Sequence, residues 1–184
     1  MKPQDFLSSK TISVRQDGRD WIIEGEHRKV TLGGSDLAVS VESGRNTWRM
    51  RPSQPDDLTV ESDGKRSTLA LTSAGKMEIT KYDTGRVTGV KIDLSDFSVD
   101  GKPLDIGLQL FMCLEGQTEE LVCEALPTEG SAVIKELRWP KAFEPRTVDA
   151  TVIPAMQGML IPTNWPQKVY LYESMAYGRA LYMR

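Results

Sequence analysis

Carboxylates are the side chains of this sequence whose spacing comes closest to a catalytic pattern. Asp93 and Asp96 are three residues apart, Glu119 and Glu120 are adjacent, and Glu144 stands in AFEP. Glycosidic bonds are hydrolysed by two carboxyl groups, one acting as an acid and the other as a nucleophile or a base. On a regular strand Asp93 and Asp96 would point to opposite faces, and Glu119 and Glu120 are expected at a solvated hairpin tip. The pattern therefore favours solvated acids, and we expect no catalytic residue in this chain.

Histidine-dependent chemistry would rest on one residue. His27 is the single histidine of the chain and lies among charged residues. A Ser-His-Asp or Cys-His arrangement needs a histidine base, and a metal site would have His27 as its one histidine ligand. The glycines of TLGGSD are followed by neither a lysine nor a helix pattern, unlike those of a phosphate-binding loop. We therefore expect no metal and no cofactor.

Two tryptophans that precede prolines are the strongest binding candidates. Trp139 and Trp165 each stand directly before a proline, which restricts a residue to extended conformations. Flat rings on stiff backbone, near amides such as Gln157 and Asn164, suit the recognition of a sugar by stacking and hydrogen bonding. The alternative is that the rings close the ends of the fold or pack on a neighbouring domain. We predict that these four residues contact carbohydrate or a neighbouring domain.

The two amides belong to a long segment without charge. Residues 150–167 contain no Asp, Glu, Lys or Arg, although these types make up 27% of the chain. Three prolines make the segment unsuitable for a helix, and prolines together with three amides exclude a membrane span. Met156 and Met159 would serve there as adaptable apolar filler.

The composition indicates a soluble globular protein. The chain has 184 residues, enough for one domain with a buried core, and 39% of them are hydrophobic. A net charge of −3 argues against a nucleic-acid partner, because binding to phosphates needs a clustered basic surface. The N-terminal MKPQDFLSSK lacks the apolar stretch of a signal peptide. A cytoplasmic location, and a secreted or periplasmic one after removal of a signal peptide, both stay open.

Two cysteines, Cys113 and Cys123, are ten positions apart. This number and spacing form neither a disulfide framework nor a metal site. They could pair if they lie on adjacent strands of a hairpin. The interpretation that we favour is two buried free thiols.

Alternation of apolar and polar residues is the dominant pattern of the chain. It begins in TISVRQDGRDWIIEGEHRKVTL and continues through DLAVSVES, STLALTS, KMEITKY and VTGVKIDLSDFSV. In the second half LDIGLQLFMCLEG, EELVCEALPT and SAVIKELRWPKAF repeat it. Short alternating runs separated by turns predict an antiparallel β-sandwich or barrel. We therefore predict an all-β fold with few or no helices, in which residues 1–184 form a single domain.

Turns and strand faces follow from the same pattern. Asp-Gly pairs between alternating runs, such as Asp63-Gly64 and Asp100-Gly101, predict tight hairpin turns. The C-terminal VYLYESMAYGRALYMR fits either a short helix or a strand and loop. The alternation assigns four sets of residues to shared faces: Leu37, Val39 and Val41; Ile106, Leu108, Leu110 and Met112; Leu121, Cys123 and Ala125; and Val133, Lys135 and Leu137.

The stretch IKELRWPKAF, followed by ATVIPAMQGMLIPTNWP and GRALYM, resembles the N-terminal region of large bacterial glycoside hydrolases. In those enzymes a galactose-mutarotase-like β-sandwich, also called a supersandwich, precedes a (β/α)-barrel that carries the catalytic carboxylates. The resemblance rests mainly on residues 104–184. It implies that this chain is the N-terminal part of a longer protein, that it docks on the following catalytic domain, and that it can lend a loop to the rim of the substrate cleft.

Three functions are consistent with the sequence. The first is a noncatalytic accessory sandwich of a glycoside hydrolase. The second is a structural or protein-interaction sandwich without sugar chemistry, in which the uncharged segment is a contact patch. The third is an enzyme similar to aldose epimerases, which the resemblance disfavours because those enzymes use several histidines with a glutamate and this chain has only His27.

Overall fold

The computed structural model describes residues 12–141, 144, 149–153, 159–162 and 164. The chain divides into two compact units, Met1–Ala142 and Phe143–Arg184, and each is described by itself. That residues 1–184 form one domain at the start of a longer chain stays a prediction. The C-terminal segment from residue 165 onward, with its possible short helix, lies outside the described residues.

The first sheet of the larger unit is a five-stranded antiparallel meander in the order β1-β2-β3-β4-β5. Its strands are β1 Ser13–Asp17, β2 Asp20–Glu24, β3 Arg28–Leu32, β4 Val39–Ser43 and β5 Asn46–Met50. Each strand has five residues, and neighbours in sequence pair antiparallel. Consecutive pairing of this kind is what the short alternating runs predict.

The second and third sheets bring distant parts of the chain together. The second has the order β14-β6-β7 and the third the order β13-β12-β9-β8. A short 3-10 helix, Leu71–Ser73, leads into the third sheet, and a small ribbon joins β9 to β12. The strands of these elements are β6 Leu58–Ser62, β7 Lys65–Leu69, β8 Lys76–Asp83, β9 Val87–Ser95, β10 Ser98–Val99, β11 Lys102–Pro103, β12 Ile106–Glu115, β13 Leu121–Glu129 and β14 Val133–Leu137.

The inner faces of the three sheets meet in one hydrophobic core. Alternate residues of β12 enter it, as the sequence predicts, because successive side chains of a strand point to opposite faces. The buried cluster includes Ile23, Val30, Leu32, Val39, Val41, Leu58, Val60, Val90, Ile92, Leu94, Phe97, Ile106, Leu108, Leu110, Met112 and Leu114. Leu121, Cys123 and Ala125 of β13 pack against it from one side. Sheets that share one core in this way form a sandwich, so the prediction of an all-β antiparallel sandwich is confirmed.

The Asp-Gly turns are confirmed, whereas the alternation predicted for β14 is wrong. Asp63 and Gly64 both have positive φ, 51° and 72°, in the two-residue loop between β6 and β7. In β14 the register shifts between Ile134 and Glu136. This β-bulge places both Ile134 and Leu137 against the core, because an extra residue reverses the faces beyond it.

The smaller unit contains a described hairpin. Its strands are β15 Ala150–Ile153 and β16 Met159–Pro162, which pair antiparallel. In the ranges that the structure describes, no helix is long and apolar enough to cross a membrane.

Candidate binding and interdomain surfaces

Trp139 stands at the end of β14, where the chain turns away from the second sheet. The backbone nitrogen of Arg138 donates a hydrogen bond of 2.7 Å to the carbonyl of Asp57. The Arg138 guanidinium contacts the carboxylates of Glu136 and Asp56. The Trp139–Pro140 peptide bond is cis. Hydrogen bonds and ion pairs thus fix the backbone immediately before the tryptophan.

The indole of Trp139 packs on the core and is half-buried. Together with Leu37, Val39, Met50 and Leu71 it lines a cavity of about 10 Å³, which has room for about one water molecule. The ring therefore packs on the core, and its contact with a sugar or a neighbouring domain stays a prediction. A sugar cannot enter so small a space, so any contact with a sugar or a neighbouring domain would use the exposed part of the ring.

Asp57 is a buried anchor beside this tryptophan that the sequence analysis missed. Its side chain is 1% exposed. Its Oδ2 atom accepts hydrogen bonds from Ser53 Oγ at 2.8 Å and from the backbone nitrogen of Gln54 at 2.7 Å. Its Oδ1 atom forms an ion pair with the ammonium of Lys141. The Ser-x-x-x-Asp spacing within PSQPDD is a local turn signal that could have indicated the first of these contacts.

The uncharged segment contains the hairpin β15–β16. Val152 and Leu160 are opposite each other in its register and are 69% and 66% exposed. Asn164 follows the hairpin and is exposed. Two of the predicted contact residues, Gln157 and Trp165, lie outside the described residues, so their part in a binding surface stays a prediction.

The outer face of the third sheet carries an aromatic pair. The rings of Tyr82 and Phe111 are 4.8 Å apart between centroids and are tilted by 59°. Tyr82 is on β8 and Phe111 on β12, so the contact crosses over β9 at Gly89, which is opposite Tyr82. Leu126, further along β13, is a 53% exposed apolar residue on the same face.

A polar row continues this face. Asp93 accepts a hydrogen bond of 2.7 Å from Gln109 Nε2 and pairs with the Lys91 ammonium at 2.8 Å. Partial burial raises the pKa of Asp93, but the hydrogen bonds from Lys91 and Gln109 together outweigh burial, so the pKa lies below its ordinary value. The row is therefore an ionised, pre-ordered polar strip next to two aromatic rings.

The comparisons with known proteins bear on the fold. No protein-family model and no curated protein matches the sequence. Among solved structures, the chain is similar to the alpha-N-acetylgalactosaminidase NagBb from Bifidobacterium bifidum. With the GalNAc complex the TM-score is 0.64 at 18% identity, covering 80% of this chain and 23% of that chain. With the Gal-NHAc-DNJ complex it is 0.63, with the same identity and coverage.

The sandwich has the fold of part of a glycoside hydrolase. The predicted resemblance to a β-sandwich of a large bacterial glycoside hydrolase is thereby confirmed at the level of the fold. This chain spans 23% of the length of NagBb, so the activity of NagBb as a whole enters below only as a proposal.

The prediction that Glu119 is a solvated acid is wrong. Glu119 is 1% exposed and has a φ of 55°. Its Oε1 atom accepts a hydrogen bond from the backbone nitrogen of Glu26, and its Oε2 atom accepts two from His27 and Arg28, each at 2.9 Å. The carboxylate thus satisfies the β2–β3 turn, a partner 91 to 93 positions away that no local pattern reveals. Glu120 is exposed, as expected.

The other candidates for chemistry are separated in the fold. Asp93 is within β9, whereas Asp96 lies beyond the end of that strand and is exposed. The imidazole of His27 is exposed and lies 3.9 Å from Glu26. Among the described residues, no group of three or more His, Cys, Asp and Glu side chains could hold a metal ion.

The cysteines lie on adjacent strands but do not pair. Cys113 is opposite Val122 and Cys123 is opposite Met112, so the two thiols are on opposite faces of the sheet. Both are free. Burial raises the pKa of Cys113 to about 12 and that of Cys123 to about 11. The interpretation as free thiols is confirmed, and Cys113 is buried whereas Cys123 is partly buried.

Proposed function

We propose that this chain is a noncatalytic β-sandwich domain of a larger glycoside hydrolase. It is of the galactose-mutarotase-like type, precedes a (β/α)-barrel, docks on that barrel and helps to shape its substrate cleft. The observation that carries the proposal is the likeness of its fold to 23% of the chain of an alpha-N-acetylgalactosaminidase. The parent reaction is hydrolysis of a glycosidic bond through an oxocarbenium-like transition state.

The environment of the described acids supports a noncatalytic role. A general acid of a glycosidase needs a raised pKa, whereas the pKa of Asp93 is lowered by its hydrogen-bond partners. Both carboxylate oxygens of Glu119 accept hydrogen bonds from backbone amides. The carboxylate of Asp57 accepts a hydrogen bond from Ser53 and forms an ion pair with Lys141. These three acids act as structural acceptors within the part of the chain that the structure describes.

Contact with the sugar or the barrel is assigned to Trp139, Gln157, Asn164 and Trp165. The tryptophans offer rings for stacking and the amides offer donors and acceptors. Asn164 is exposed, and Trp139 is half-buried at the end of the second sheet.

The test begins with the gene. The reading frame beyond codon 184 is sequenced and the full-length protein is assayed on a panel of aryl glycosides. An aryl α-N-acetylgalactosaminide is placed first, because the structural neighbour is named for that activity. We expect a barrel-coding frame, hydrolysis by the full-length protein and none by residues 1–184. A frame that ends near codon 184, or a full-length protein inactive on every glycoside, contradicts the proposal.

Direct contact with carbohydrate has a separate test. Isothermal titration of the chain with oligosaccharides is compared between the wild type and Trp165→Ala. Heat that is lost in the variant supports a sugar-binding role for this segment. No heat with any glycan removes that role and leaves only docking.

A further inference from the structure

One face of the hairpin β15–β16 is entirely apolar. In its register Ala150 is opposite Pro162 and Val152 is opposite Leu160. These four residues share a face, because pairs two positions apart along an antiparallel hairpin point the same way. Val152 and Leu160 are 69% and 66% exposed, while Ala150 and Pro162 are half-buried. The center of this apolar face, defined by Val152 and Leu160, is therefore open.

The hairpin has few means of supporting itself. Within the residues that the structure describes, β15 and β16 pair with each other and with no third strand. A two-stranded hairpin is at best marginally stable in water, and three strands or a packed face are needed for stability. The segment 150–167 also lacks charged residues, which soluble proteins place on exposed hairpins to prevent association. Both features indicate that the apolar face is covered in the working protein.

We propose that this apolar face packs on the catalytic barrel of the same polypeptide. The inference rests on the proposed function and names the surface through which that function operates. Depletion of charge is typical of the buried center of interfaces, and the occupant is accordingly an uncharged apolar patch of the barrel.

The size of the face selects a tethered occupant. A specific interface between separate proteins buries about 800 Å² on each partner, much more than the four described residues of this face provide. A covalently linked domain needs less, because a short tether gives an effective concentration in the millimolar range. The absence of charge also removes the electrostatic steering by which free partners find each other. A second copy of this chain or a diffusing partner is thus a poorer match than the linked barrel.

Hydrogen exchange tests the contact directly. Exchange of the backbone amides of residues 150–162 is measured in the full-length protein and in the chain of residues 1–184. We expect these amides to exchange at least tenfold more slowly in the full-length protein. The variant Val152→Glu/Leu160→Glu is expected to abolish that difference. If the charged variant fails to fold, the milder Leu160→Ala is measured in its place, and we expect it to reduce the difference in exchange.

The matched control is Leu126→Glu, which places the same charge on another exposed apolar residue, on β13. It is expected to leave the exchange of residues 150–162 unchanged. Equal exchange in the two proteins overturns the inference, as does a dimer of residues 1–184 that disappears with Leu160→Glu. A full-length protein that hydrolyses glycosides but leaves the hairpin unprotected refutes this inference alone. A protein without glycosidase activity instead refutes the proposed function.

Discussion

Glu119 and Arg28 are 91 positions apart, yet the Oε2 atom of Glu119 lies 2.9 Å from the backbone nitrogen of Arg28. The Arg28 guanidinium in turn contacts the backbone carbonyl of Glu119. These reciprocal contacts join the β12–β13 turn of the third sheet to the β2–β3 turn of the first. A buried carboxylate thus holds two sheets of the sandwich together at one end.

Replacement of Glu119 is expected to destabilise the fold. Glu119→Ala leaves three backbone amides of the β2–β3 turn without their acceptor, and we expect a loss of about 3–5 kcal/mol in the free energy of unfolding. Urea unfolding followed by circular dichroism measures it. The control Glu120→Ala removes the exposed neighbour and is expected to change stability by less than about 0.5 kcal/mol. If Glu119→Ala lowers the free energy of unfolding no more than Glu120→Ala does, the buried contacts do not stabilise the fold.

Gly89 is expected to tolerate no side chain. A Cβ atom there would lie 2.1 Å from the backbone oxygen of Met112 and 2.5 Å from the Cα atom of Cys113. Because these are backbone atoms, relief requires the strands to move, and we expect Gly89→Ala to cost at least about 2 kcal/mol. Gly107 of the same sheet meets nothing closer than 3.7 Å. Thermal unfolding of Gly107→Ala should therefore match the wild type, and a Gly89→Ala variant that also matches would contradict this packing.

The decrease in the free energy of unfolding at acid pH is expected to depend on Asp93. Its folded pKa lies below the ordinary value of 3.8, so its stabilisation is present above that value and is lost as the pH falls through the folded pKa. Asp93→Asn removes this contribution. We expect wild type and variant to differ in stability at pH 6 and to converge as the pH falls below the folded pKa of Asp93. Unfolding curves across this range check the trend, which a constant difference would refute.

The thiols are expected to be unreactive in the native state. Burial raises the pKa of Cys123 to about 11, from an ordinary value of 9.0. The thiolate fraction at pH 8 is then about a hundredfold lower than in the unfolded chain. Labelling with a chromogenic disulfide should be slow until urea is added. The same pKa shifts stabilise the fold below pH 9, and this contribution is lost as the pH rises toward 11 to 12. Rapid native labelling of both thiols would refute the burial that raises their pKa values.

The alternation in the sequence predicted those parts of the fold that depend on one strand at a time. The inward face of β12 follows from Ile106, Leu108, Leu110 and Met112 alone, because a strand has a fixed period. The bulge in β14 could not be predicted, since it depends on the register with β6. A local pattern likewise contains nothing about a partner two strands away, as for Tyr82 and Phe111.

The candidate surfaces were predictable to a smaller extent. The sequence singled out Trp139, and the structure adds that its half-buried ring packs on the core. The sequence singled out residues 150–167 by their lack of charge. The exposure of Val152 and Leu160 could not be predicted from it, because that depends on the pairing of β15 with β16. Burial of Asp57 and Glu119 depends on tertiary contacts that composition and spacing do not encode.

The most direct test of the central claim is the glycosidase activity of the full-length protein with and without residues 1–184. Values of kcat/KM are measured for the full-length protein, for the truncated protein, and for the truncated protein titrated with the separate chain. We expect truncation to lower kcat/KM at least tenfold and the added chain to restore it in a saturable way. A truncated enzyme as active and as stable as the full-length protein would contradict the claim that this sandwich docks on the barrel and shapes its substrate cleft.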